Sequence, residues 1–153
     1  MGELIATASA IINLAEKFED NASNFYQKLA QKFEKNKATF LSFAEESKKN
    51  KVLVVRTYRE TITDALEACF SFEGLNPNDY IAKASLGEDT SFSEALRMAI
   101  ELEDKASKFY IKVADLSKNL LATIPSAFRK VAERRNSRKQ ALKSLLDREA
   151  TEP

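Results

Sequence analysis

Apolar positions recur every three or four residues along four stretches of the chain. The first stretch covers residues 3–35 and places Ile12, Ala15, Glu19, Ala22, Tyr26, Leu29 and Phe33 on one face. The second covers residues 37–70, with Phe40, Phe43, Ser47, Asn50 and Val54 on its seam and Leu53, Ile62 and Leu66 widening or continuing the apolar side. The third begins at Ser91, which stands three residues before Glu94 as in a capping box. It aligns Leu96, Ala99, Glu103, Ala106, Tyr110 and Val113. The fourth starts near Pro125, a residue suited to a first helical turn, and aligns Phe128, Val131, Arg135, Arg138, Leu142 and Leu145. This spacing is that of one face of an α-helix and predicts four amphipathic helices.

Short polar turns at Glu34–Lys37 and Lys118–Thr123 make each successive pair of helices an antiparallel hairpin. A longer connection, Glu73–Thr90, lies between the hairpins and contains Gly74, Gly87 and the run Asn76–Asn78, in which Asn76 can cap a short helix that opens on Pro77. The hairpins are also related in sequence. Residues 14–30 and 98–114 share Glu-x-x-Ala-x-x-Phe-Tyr, carried by Glu19, Ala22, Phe25 and Tyr26 and again by Glu103, Ala106, Phe109 and Tyr110. Phe40 and Ala44 likewise fall on Phe128 and Ala132, a weaker match that needs a longer turn in the second hairpin. The expected fold is all-α, a ferritin-like four-helix bundle of two hairpins joined by one crossover, with residues 1–153 forming a single domain.

Composition narrows the chemistry. Three glycines and three prolines suit an almost wholly helical chain and leave little for a phosphate-cradling loop. The net charge is +1, which gives no overall bias toward polyanions. The one cysteine, Cys69, excludes an internal disulfide and a four-cysteine metal site, and it is expected to be a small buried apolar residue. There is no histidine, so no nucleophile–histidine pair exists. No apolar run reaches the ~20 residues of a membrane span. The apolar N-terminal stretch lacks a basic leader and Ala6 stands where a myristoylation signal needs Ser or Thr, so the expectation is a cytoplasmic protein without a membrane partner.

Over Ser9–Leu146 the chain resembles a rubrerythrin-type domain of the ferritin-like superfamily, chiefly through the doubled Glu-x-x-Ala-x-x-Phe-Tyr. The resemblance implies a centre of two metal ions, usually iron, in which helices one and three each give a Glu and helices two and four each give Glu-x-x-His. It also implies peroxide-reducing or iron-oxidising activity. Glu19 and Glu103 match the single-carboxylate positions. Aligned on Phe43-Ala44, Ser47 stands at the Glu position and Asn50 at the His position of helix two. Aligned on Val131-Ala132, Arg135 and Arg138 stand at the corresponding positions of helix four. Four of the six ligand positions are therefore replaced, two of them by permanent cations that repel metal. Glu45 and Glu133 lie about 200° around their helices from the ligand positions and Glu46 about 100°, so these carboxylates should point outward or sideways. The expectation is a degenerate site with no metal ligands, no catalytic residues and no cofactor. Iron or manganese held in an unconventional oxidoreductase site is the alternative.

Without metal, two inward carboxylates are costly unless they are paired. Arg135 and Arg138 face them and can supply the missing positive charge, with Ser47, Asn50, Tyr26 and Tyr110 available for hydrogen bonds. The other arrangement turns both arginines out to water along their stems. The basic run of helix four (Arg129, Lys130, Arg134, Arg135, Arg138, Lys139 and Lys143) is a weak nucleic-acid signal, because two of its cations point inward and no aromatic residues interleave. Leu53, Val55 and Phe92 are apolar positions left over for a homodimer contact. The expected function is that of a non-catalytic structural or interaction protein whose partner the residues do not name.

Overall fold

The computed structural model describes residues 6–61, 71–72, 74–117 and 123–151. Strand β1 (Ala6–Thr7) leads directly into helix α1 (Ala8–Lys32), and helix α2 (Lys37–Thr61) follows. Strand β2 (Ser71–Phe72) and a 3-10 turn over Pro77–Tyr80 precede helices α3 (Phe92–Leu116) and α4 (Thr123–Thr151). The all-α four-helix bundle is thus present, with α1 packed on α2 and α3 packed on α4 as hairpins.

Cross-helix contacts fix the directions. Asp20 meets Lys51 while Tyr26 meets Phe43, so α1 and α2 are antiparallel. Asp104 meets Lys139 while Asp115 meets Arg129, so α3 and α4 are antiparallel too. Between the hairpins, Glu19 meets Tyr110 and Tyr26 meets Glu103, which makes α1 and α3 antiparallel. Helices α2 and α3 therefore run the same way, and the segment joining them must return along the length of the bundle. Lysines strap this crossover down: Lys105 Nζ donates to the Ile81 carbonyl and Lys32 Nζ to the Glu88 carbonyl, both at 2.8 Å.

Local chemistry sets the helix ends. Ser91 caps α3, its hydroxyl accepting from the Glu94 amide at 3.1 Å. Asn76 caps the 3-10 turn in the same way through the Asn78 amide, with Pro77 in its first position. The first helix is shorter than its apolar pattern. Thr7 is extended and accepts from the Ala10 amide, so it caps α1, while β1 pairs antiparallel with β2 through Ala6–Phe72 and Thr7–Ser71. At the other end, Phe33 is extended, which ends α1 three residues before residue 35, and Asn36 adopts φ 64°, a left-handed conformation that asparagine tolerates, in the turn to α2. Cys69, Ile62, Leu66 and the turn at 118–122 lie outside the described residues.

The core consists of two apolar clusters. One gathers Ile11, Ile12, Ala15, Val54, Leu75, Val113, Phe128 and Val131 with their neighbours. The other gathers Ala22, Leu29, Phe40, Ala44, Leu96, Ala99 and Leu142. Every predicted seam residue of α3 is buried, and so are those of α1, α2 and α4 except the half-buried Phe33, Phe43 and Leu145. Between the two clusters, where each helix presents polar residues inward, lies a polar layer.

Leu53, Val55 and Phe92, expected to be free apolar surface, are instead partly buried against these clusters. The four-helix seams are wider than a strict three-four stripe, so flanking apolar residues pack as well. Among the described residues, the large apolar side chains that do face solvent are Leu41, Val52, Ile81 and Ile111.

Candidate functional site

Six side chains, those that the resemblance matches to ligand positions, converge. Glu19, Ser47, Asn50, Glu103, Arg135 and Arg138 are all at most 2% exposed. The two tyrosines of the repeat, Tyr26 and Tyr110, are fully buried beside them. Both arginines therefore lie in the core and do not turn out to solvent.

Arg135 is the hub. Its Nε lies 2.8 Å from Glu103 Oε1 and its Nη1 lies 3.5 Å from Glu19 Oε1. The Nε–H is not aimed along the first of these lines, so the contact is an ion pair and not an aligned hydrogen bond. Nη1 also donates to Ser47 Oγ at 3.2 Å. Arg138 donates from Nη1 to the same hydroxyl at 2.8 Å and approaches Glu103 Oε2 at 3.5 Å. Its Nη2 is buried with no hydrogen-bond partner. The guanidinium carbon, however, sits 5.8 Å and 5.7 Å from the ring centroids of Tyr26 and Phe43, whose negative faces attract the cation.

The tyrosines cross over between the repeats. Tyr26 donates to Glu103 Oε2, and Tyr110 donates to Glu19 Oε2 at 2.6 Å. Asn50 Nδ2 completes Glu19 by donating to Oε1 at 3.2 Å. Each phenol in one copy of the motif thus binds the carboxylate in the other copy.

Electrostatics follow from this packing. Burial and then the facing carboxylate (Glu103 for Tyr26, Glu19 for Tyr110) push both phenols well above their ordinary range, so both remain donors. Burial pulls Arg135 toward losing its charge, but Glu103 and Glu19 outweigh that and hold the guanidinium above its ordinary value. Two buried negative groups face two buried positive ones, so the layer is balanced.

Two further residues join from the rim, and helical angle alone did not assign them. Glu46, half-buried and sideways as its angle predicts, accepts from Arg138 Nε at 2.8 Å. Arg134 Nη1 donates to Asn50 Oδ1 at 2.8 Å. Their adjacency to Ser47 and Arg135, together with side chains long enough to reach back over a seam, is the signal that would have found them. Glu45 and Glu133 face solvent. Elsewhere on α4 the basic run is broken up, with Lys139 on Asp104 at 2.8 Å and Arg129 near Asp115 at 3.7 Å.

This donor set does not fit a pair of iron or manganese ions. Among the described residues, Glu19 and Glu103 are the only buried carboxylates. Their oxygens already face phenols, an amide or guanidinium groups, and two permanent cations stand where metal ligands would be needed. Among the described residues no group of three or more potential metal ligands occurs. No helix among them is long and apolar enough to cross a membrane. No family model, curated protein or solved structure matches the chain.

Proposed function

We propose that this chain is a ferritin-like protein of rubrerythrin type in which the di-metal centre has been replaced by a Glu–Arg layer, and that it serves as a non-catalytic structural or interaction protein. The carrying observation is the position of Arg135, fully buried between Glu19 and Glu103, the two carboxylates that the sequence repeat matches to metal ligands. A guanidinium there supplies positive charge to the same pair of carboxylates without a metal ion. The doubled motif supports the ancestry, and the donor set supports the loss of redox chemistry. A cytoplasmic location belongs to the same reading, supported by a chain whose single cysteine leaves no internal disulfide.

Metal analysis after loading with iron or manganese tests the reading. The purified chain is expected to retain far less than one ion after desalting. Retention of about two tightly held ions per chain, the content of a ferritin-like di-metal site, would establish an unconventional oxidoreductase or metal-binding centre and overturn it.

A further inference from the structure

We propose that the cleft between α1 and α3, roofed by the crossover, is a binding site for a small amphipathic monocarboxylate. The cleft encloses about 230 Å³. Leu14 and Phe18 of α1 form one wall, Leu102 and Ala106 of α3 form the other, and residues 80–82 of the crossover close the top. The roof is fixed in place by the hydrogen bond from Lys105 to the Ile81 carbonyl. A dry apolar cavity of about 150 Å³ takes benzene, so this one has room for a single ring or a short aliphatic chain.

The floor gives the site its polarity. Arg135 lines the cleft and is 1% exposed. Its Nη1 serves Glu19 and Ser47, whereas its Nε faces Glu103 without an aligned hydrogen bond. Glu19 and Glu103 are not part of the lining, so Arg135 is the buried charged residue that lines the cleft. A second cation, Lys17, stands at the exposed rim. An apolar passage that ends on a guanidinium edge, with no carboxylate in its walls, selects an apolar body carrying one carboxylate. The inference rests on this geometry alone and stands apart from the chain's ancestry.

The test titrates the full chain with hexanoate and benzoate, and in parallel with hexanol and benzyl alcohol as neutral counterparts of similar size. Binding is read from backbone amide shifts in nuclear magnetic resonance spectra. The expected result is saturable shifts centred on Phe18 and Leu102 with the acids, and binding about ten-fold weaker with the alcohols, the factor that ~1.4 kcal/mol represents. Ala106→Leu, which fills the cleft, is expected to abolish the shifts while the helical circular dichroism is unchanged. Lys17→Met, an exposed position, provides a second variant should the first fail to fold, and is expected to weaken the acids and leave the alcohols unaffected. Absence of saturable shifts with both acids, equal affinity for acids and alcohols, or Lys17→Met binding the acids as tightly as the unaltered chain would overturn the proposal.

Discussion

At Glu103 one carboxylate meets two guanidinium groups and a phenol, all of them shielded from water. Transferring these ions into the core is costly, and their mutual attraction offsets that cost only while both signs are present. Glu103→Leu leaves Arg135 and Arg138 to share Glu19 and the rim carboxylate of Glu46. It is expected to destabilise the fold by about 3–5 kcal/mol in urea unfolding. Adding Arg135→Met removes the surplus cation, and the double variant is expected to recover most of that loss; simple additivity of the two losses would contradict the pairing. Much of this site was legible in the sequence, because a carboxylate or guanidinium on an otherwise apolar helical face has to point inward. Glu46 and Arg134 were not, because a helical angle positions a Cβ and takes no account of how far a long side chain reaches.

Among the elements, the start of α3 was legible from Ser91 and Glu94, since a hydroxyl just before an apolar period satisfies an otherwise unpaired amide. Of the reciprocal box, the described bonds include only the Ser91 half. Ser91→Ala is expected to cost about 1 kcal/mol in urea unfolding, and Ser91→Asp to cost little, because a carboxylate can accept the same bond; equal losses in both variants would show that the cap is not what holds this end. The start of α1 was not legible. What takes residues 6–7 out of the helix is pairing with residues 71–72, far along the chain, and apolar periodicity reports only local spacing. The same limit applied to Leu53, Val55 and Phe92, whose burial depends on which neighbours the helices acquire.

For the whole molecule, stability should depend on alkaline pH through the two crossed tyrosines. In the unfolded chain a tyrosine ionises near pH 10, whereas Tyr26 and Tyr110 hold their protons well above that when folded. Their contribution is therefore complete below about pH 10 and is lost as the pH rises from there through the higher folded values. The urea midpoint is expected to fall more steeply above pH ~10 than at neutral pH. The double variant Tyr26→Phe, Tyr110→Phe should start lower and show a shallower alkaline decline, and identical declines in the two proteins would contradict the assignment. The bundle and its crossover were legible because four seams, two short turns and one long connection leave few ways to bury the apolar faces; the direction of each helix is now fixed by contacts such as Glu19 with Tyr110. The layer also makes the two halves unlike partners. The first hairpin brings one buried negative charge, Glu19, whereas the second brings Glu103 against Arg135 and Arg138 and so carries a surplus positive one. Two first hairpins pressed together would bury carboxylates with no cation, and two second hairpins would bury surplus guanidinium groups. Each half is therefore complementary in charge to the other and not to a copy of itself, which disfavours like-with-like pairing of hairpins.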